Sequence, residues 1–276
     1  MSTGLEDYVL GRDMHGSVRL DAQHLLWKIH NGYALNPKIA ISPGMKIAEI
    51  GTGTALWLLD IADHLPSTIE LHGYDVSDGQ FPPQTSLPRN VSLGILDAFG
   101  DVPPHLVGKY DVIHLRFWCC VVRGNDPSRL IRHAVTLLKP RGYLQWEDAH
   151  LGRNITKGIM AEEFGSVAQE FFRASDINYN WLGKLDKHVT VEGLEVIDYE
   201  IGTFRPTLVP LCTSTYLTGH FELFQAVPKL KEEGYSIPNK KECENLLVAL
   251  FSETKKGEVY HWPPVTLLAR KAFSNN

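Results

Sequence analysis

The segment Lys46-Ile47-Ala48-Glu49-Ile50-Gly51-Thr52-Gly53-Thr54 constrains this chain most, because an apolar strand runs straight into a glycine turn and then into a helix beginning near Ala55. Glycines suit a junction where the chain turns sharply and a ligand approaches the backbone closely. The helix start behind them offers unpaired N–H groups to the same crevice. A glycine turn alone fits many strand-to-helix connections, but two further residues narrow it. A dinucleotide fingerprint would place its third glycine at position 56, where this chain has Leu56, a side chain that crowds helix-on-strand packing. NAD and FAD are thereby disfavoured. Asp75 closes the next apolar run, in Gly73-Tyr74-Asp75-Val76-Ser77. The interval from Gly51 fits one helix plus one strand, and the Asp75 carboxylate can accept both hydroxyl protons of a ribose.

The same alternation continues to His150. Short apolar runs predict strands over 46–50, 70–75, 91–95, 110–115 and 142–146, separated by helices over 55–64 and 127–138, which is the pattern of repeated βα units on a mostly parallel sheet. Before it lies a polar entry and an amphipathic helix whose expected apolar face is Ala22, Leu25, Leu26, Ile29 and Tyr33. After it come helices over 157–173, 181–189, 209–231 and 240–254, a strand over 194–201, and a closing strand over 266–270 that could begin as early as Glu258. The last two strands are expected to pair antiparallel with or beside the parallel set. No repeat or composition break marks a second domain. The expected organisation is one α/β domain: residues 1–43 an N-terminal cap, 44–150 a cofactor-binding core, and 151–276 substrate-cap helices with the last two strands.

Composition removes several alternatives. Lys plus Arg number 27 against 32 Asp plus Glu, and no long run of one sign supplies the basic face that phosphate backbones need, so nucleic acid is not an expected partner. The short basic cluster at Lys229 and Lys231 reads as solvated helix surface. Cys119, Cys120, Cys212 and Cys243 form no C-x-x-C unit and have no histidine at zinc-finger spacing, so no metal site is expected and a reducing compartment fits. The amino terminus has no secretory pattern, and no apolar stretch approaches the roughly 20 residues of a membrane helix. A cytoplasmic protein without membrane contact is the expectation.

On these residues the chain resembles the class I S-adenosylmethionine-dependent methyltransferases, whose pattern is E/D-x-G-x-G after the first strand and an acidic residue closing the second. The resemblance implies a Rossmann-like seven-stranded sheet in the order 3-2-1-4-5-7-6, with helical N-terminal and C-terminal caps. Carried over, Glu49, Gly51 and Gly53 line the methionine part, Asp75 the ribose, and Asp97-Ala98-Phe99 the adenine, with Asp97 accepting from its amino group. Thr52 and Val76, inside the same two motifs, complete that set. Ala55 departs from the pattern, standing where many members have a third glycine. A narrower resemblance rests on Tyr8, Ser17-x-Arg19-Leu20-Asp21-x-Gln23-His24, Trp27 and His114-x-Arg116. These are similar to the fungal methyltransferase group that includes the secondary-metabolism regulator of the velvet complex. That similarity implies an N-terminal segment folded over the cofactor, with Tyr8 among its contacts, and Arg116 closing the site.

Methyl transfer from a sulfonium needs an aligned nucleophile and no obligatory catalytic dyad. A base or cation helps a hydroxyl or carboxyl acceptor. Candidates lie beyond the carboxyl ends of the strands. His114 and Arg116 share one face of the fourth strand, Glu147-Asp148-Ala149-His150 follows the fifth, and His24 reaches the site if its helix caps the sheet. His114, Asp148 and His24 are therefore the catalytic candidates. Trp27, Trp57, Trp146 and Trp181 read as core, and Cys119-Cys120 as buried packing. Phe171, Phe172, Tyr216, Phe221 and Phe224 are an expected apolar lid. The expected function is methylation of a small molecule, with a secondary-metabolite hydroxyl as first choice of acceptor and S-adenosylhomocysteine as co-product. The rival readings are a rearrangement or cyclisation promoted by the sulfonium charge, and a cofactor-binding regulator that works through protein partners.

Overall fold

A computed structural model describes residues 10–273. Helix α1 (Met14–Asn31) is capped at its start by Asp13, whose side chain accepts from Gly16 N, and at its end by Gly32 at φ 79°. Then follow β1 (Lys46–Ile50), α2 (Leu56–Ala62), β2 (Glu70–Asp75), β3 (Val91–Ile95), β4 (Tyr110–Arg116), α3 (Ser128–Leu137) and β5 (Leu138–Ala149). The C-terminal part comprises β6 (Ile155–Lys157), α4 (Ile159–Ala174), α5 (Leu185–Val191), β7 (Leu194–Ile201), α6 (Val209–Leu223), α7 (Val227–Glu232), α8 (Lys240–Thr254), β8 (Val259–His261) and β9 (Pro264–Lys271).

Seven strands form one sheet in the order β3-β2-β1-β4-β5-β9-β7, while β6 and β8 pair separately as a small antiparallel ribbon. Numbered within the large sheet alone, that order is the expected 3-2-1-4-5-7-6. The ribbon was not expected, since strands of three residues carry too little pattern to read. β9 lies antiparallel between β5 and β7, so both of the last two strands make antiparallel pairs and only β9 runs against the other six. β5 starts four residues earlier than expected, at Leu138. The Pro140-Arg141-Gly142 stretch reads as a break, yet it is taken up by a register shift opposite Tyr110 and by Arg141 at φ 65°.

Strand alternation sorts the core onto the two faces of the sheet. On one face Ile47 and Val112 pack with Trp57, Leu58 and Ile61 of α2. On the other, Ala48, Ile50, Ile113 and Leu115 pack with α3 and the cap helices. Trp27, Trp57, Trp146 and Trp181 are all core. The expected apolar face of α1 is corrected. Leu25 and Ile29 are 48% and 39% exposed, and the side turned inward carries Arg19, His24 and Trp27 with Leu26. This helix buries polar groups because their partners lie on other elements. The expected lid is corrected as well, since Phe171, Phe172 and Phe224 are fully interior and Phe221 is exposed, leaving only Tyr216 beside a cavity.

Candidate active site

A cavity of about 490 Å³ lies over the carboxyl ends of β1 to β4, where open α/β sheets bind ligands. Gly51, Asp75, Asp97 and Arg116, each at or just after the end of one of these strands, all border it. The β1 turn is shaped by its glycines. Gly51 sits at φ 76° and a Cβ there would come 3.0 Å from Trp118 Cζ2, while Gly53 sits at φ 50° with room for no Cβ beside Leu20. Gly51 N and Thr52 N both donate to Tyr74 O, which ties the turn to the end of β2. The Asp75 carboxylate accepts from Gly53 N at 3.0 Å and from Ser77 N at 3.3 Å. Burial raises its pKa, against those backbone N–H groups and Arg12. Such a carboxylate gains from two further donors. Ala55 continues the turn at φ 59°, so it adopts the left-handed conformation that explains glycine at this place in related patterns.

Val76, Ala98 and Phe99 complete the wall on the β2 and β3 side, and Phe99 N donates to Asp97 Oδ1. On the other side, Phe117 leaves β4 at φ 57°, a strained conformation that turns Trp118 over Gly51. The roof is α1 with Leu10 and Arg12 before it, joined to α6. Arg19 Nε lies 2.9 Å from Glu222 Oε1, and Glu222 Oε2 accepts from Gly11 N.

A second cavity, about 50 Å³, opens between α1 and the β1 turn and is bordered by His24, Glu49, Thr52 and Arg116. Beneath it runs a buried polar chain. Thr52 Oγ1 donates to Glu49 Oε2 at 2.7 Å, and His114 lies with Nδ1 3.0 Å from Glu49 Oε1 and Nε2 3.4 Å from Glu147 Oε2. Arg116 grips Glu147 through Nε and Nη2 and contacts His24 Nδ1 through Nη1, while His24 Nε2 meets Asp60. Burial alone would raise the Glu147 pKa, but Arg116 and His114 outweigh it and hold the group at about 2.

Two of the three catalytic candidates border neither cavity. His114 is fully buried, stacked on Trp57 at 3.9 Å with both nitrogens on carboxylates. Asp148 is equally buried and accepts from Trp118 N, Cys119 N and Trp146 Nε1, although burial first raises its pKa to about 6. Both are placed as structural groups. His24 borders the smaller cavity, but Arg116 occupies its Nδ1 and Asp60 its Nε2, so no lone pair is left for a substrate proton. Tyr8 lies outside the described residues. Beside the expected Tyr216, sequence reading missed Thr215, Gly219 and His220 of α6, which also border the cavity. Small residues at 215 and 219, one helical turn apart, were the available signal of a close approach. Among the described residues no group of three or more His, Cys, Asp or Glu side chains is placed to hold a metal, and no helix is long and apolar enough to cross a membrane.

Sheet order, glycine turn and strand-end carboxylate define the class I methyltransferase architecture. A family profile described as a methyltransferase domain matches residues 29–182, more than half of the chain, and the chain belongs to that family of S-adenosylmethionine-dependent enzymes. It is 32% identical over 162 residues to the N-methyltransferase tcpN of Claviceps purpurea, covering 58% of this chain and 55% of that protein. It is 33% identical over 138 residues to the methyltransferase grgD of a Penicillium species, covering 47% and 48%. The chain spans about half the length of the curated relatives it matches. Among solved structures, an S-adenosylmethionine-dependent methyltransferase from Mesorhizobium loti superposes with a TM-score of 0.51 at 13% identity, covering 89% of this chain and 97% of that one. The [4+2]-cyclase SpnF does so with 0.50 at 14%, covering 94% and 95%. At these identities the likeness is one of fold. The cofactor of the family is S-adenosylmethionine, and S-adenosylhomocysteine its product.

Proposed function

We propose that this chain transfers the methyl group of S-adenosylmethionine to a small, largely apolar molecule. The observation that carries the reading is one continuous cavity bordered by Gly51, Gly53, Asp75 and Asp97 and also by Cys120, Leu151 and Tyr216. Its volume falls in the range of small-molecule sites. When bound, the cofactor supplies an electrophilic methyl on a sulfonium.

Gly51 and Gly53 would let the cofactor approach the backbone, and Asp75 would accept from the ribose hydroxyls. Asp97, Ala98 and Phe99 with Val76 would hold the adenine, and Glu49, Thr52 and Arg116 the methionine end through the smaller cavity. Tyr8 remains proposed as a contact of the N-terminal segment. Residues 1–43 would serve as the cap, 44–150 as the cofactor core and 151–276 as the acceptor side. His114, Asp148 and His24 transfer no proton to or from the substrate in this scheme; they position Glu49, the turn before Trp118, and Arg116.

A secondary-metabolite hydroxyl remains the first choice of acceptor. Nitrogen is the second reading, favoured by relatives named N-methyltransferases. The SpnF fold likeness is a reminder that this architecture alone does not fix the reaction. The test is calorimetry with S-adenosylhomocysteine, followed by mass analysis of candidate hydroxyl and amine compounds incubated with protein and cofactor. A product heavier by one methyl group supports the reading. No cofactor binding, or turnover without a change of mass, sinks it.

A further inference from the structure

We infer that Asp60, a residue of α2 that borders neither cavity, is a positioning residue for the cofactor: it holds a neutral His24 ring as the acceptor for Arg116, and acid undoes that hold by protonating the ring. The inference rests on the methyltransferase reading, in which Arg116 holds the methionine end, and adds what governs that contact.

A guanidinium only donates, so the 3.1 Å contact between Arg116 Nη1 and His24 Nδ1 requires a bare lone pair on Nδ1. The ring proton is then on Nε2, which lies 2.9 Å from Asp60 Oδ2. Asp60 Oδ1 accepts from Lys28 Nζ at 2.5 Å, with the exposed His64 Nδ1 3.6 Å away. At the inner end, Glu147 accepts from Nε and Nη2 of Arg116, which leaves Nη1 to His24. Arg116 is the charged side chain that borders both cavities among the described residues. A chain of hydrogen bonds therefore runs from α2, through α1, to the place where the two cavities share a wall.

This bridge works only while the ring is neutral. The charged groups around it are Asp60 on α2, Arg116 on β4 and Glu49 on β1, with Lys28 and His64 behind Asp60, and Glu147 and His114 behind Arg116. Burial and the Arg116 charge hold the His24 pKa below its usual 6.5, against Asp60 and Glu49, which raise it. Protonation would turn an N–H toward Arg116 and set two cations against each other where little water screens them. One of the two must then give up its place. Without Asp60, the buried Nε2–H loses its acceptor and the ring is no longer fixed for Arg116. Asp60 thus fixes the tautomer, although it stands on the far side of α1 from Arg116.

The test is calorimetry with S-adenosylhomocysteine at pH 7. Asp60→Leu is expected to weaken binding on the order of tenfold with the fold intact by circular dichroism, and Asp60→Asn, which keeps an acceptor for Nε2–H, to recover most of that loss. Asp60→Leu combined with His24→Leu is expected to bind no more weakly than His24→Leu alone, because Asp60 acts through His24. Wild-type protein with ¹⁵N-labelled histidine decides the matter even if the variants fail to fold. His24 is expected to carry its proton on Nε2 and, by reciprocity, to titrate at lower pH when S-adenosylhomocysteine is bound than when it is absent. Full affinity in Asp60→Leu, an Asp60→Asn as weak as Asp60→Leu, additive losses in the double variant, a proton on Nδ1, or the same His24 titration with and without ligand overturns the inference. Failure of S-adenosylhomocysteine to bind wild-type protein instead overturns the methyltransferase reading, and the role of Asp60 with it.

Discussion

The guanidinium of Arg19 on α1 lies 2.9 Å from the carboxylate of Glu222 on α6, 203 positions later, with both side chains almost fully buried. The pair closes the roof of the cavity, because Glu222 also accepts from Gly11 N in the segment that precedes α1. Removing the carboxylate takes the counter-ion from the buried Arg19 guanidinium, which costs about 3–5 kcal/mol. Glu222→Ala is expected to lower stability by that order in urea unfolding and to weaken S-adenosylhomocysteine binding. The double variant Arg19→Met with Glu222→Leu is expected to recover much of the stability, and a double variant as unstable as the single one contradicts this account.

Asp75 already accepts two backbone N–H groups and is expected to take two hydroxyls in addition. A hydrogen bond to a charged group contributes about 1.5–3 kcal/mol. Asp75→Ala should therefore weaken S-adenosylhomocysteine on the order of 100-fold with the fold intact by circular dichroism. Gly51→Val acts differently, since φ is 76° and Trp118 stands 3.0 Å from any Cβ. It is expected to abolish binding and also lower the unfolding midpoint.

His114 bridges Glu49 and Glu147 beneath the site without facing either cavity. His114→Leu should cost roughly 3 kcal/mol, as two buried carboxylates lose a shared partner. Activity of the folded fraction should retain the wild-type pH profile. A displaced profile in a stably folded variant would make His114 a proton carrier after all.

Ala55 holds φ 59° while its methyl is fully buried. Glycine would relieve about 1 kcal/mol of left-handed strain and lose about 0.8 kcal/mol from the buried methyl, so the two effects nearly cancel. Thermal unfolding should show Ala55→Gly close to wild type. Ala55→Val, which adds β-branching to the same backbone, should be clearly destabilised.

The pH dependence of folding isolates His220. Its folded pKa, about 4, lies below the usual 6.5, so between these values the unfolded chain binds more protons and stability falls on acidification. The full difference is about 3 kcal/mol. Asp148, raised to about 6, acts in the opposite sense over much of that window, so the net wild-type slope is not diagnostic. Comparison of wild type with His220→Phe cancels it. Urea unfolding at pH 7 and pH 4.5 should show wild type losing more stability than the variant, and equal losses would refute the assignment.

The strands β1, β2, β3 and β7 and the helix α8 stand where the sequence pattern placed them. The turn at Gly51 was legible for the same reason, since short-range alternation, caps and left-handed positions are written in neighbouring residues. The polar face of α1 was not. Leu25 and Ile29 looked inward by period alone, whereas Arg19 and His24 turn inward because Glu222, Asp60 and Arg116 meet them there. His114 shares a face with Arg116, as strand alternation requires, but only the folded chain stacks Trp57 on it and closes it between two carboxylates. His220 carried no local signal, and its burial comes from α6 lying against the aromatic rings of α4 and β8. The sequence by itself determined the alternation of strands and helices, the glycine turn after β1 and the residues that follow each strand, while the strand order followed from the family resemblance. Which buried polar groups find partners was decided by tertiary structure, because burial removes water and remote residues must then supply the partners.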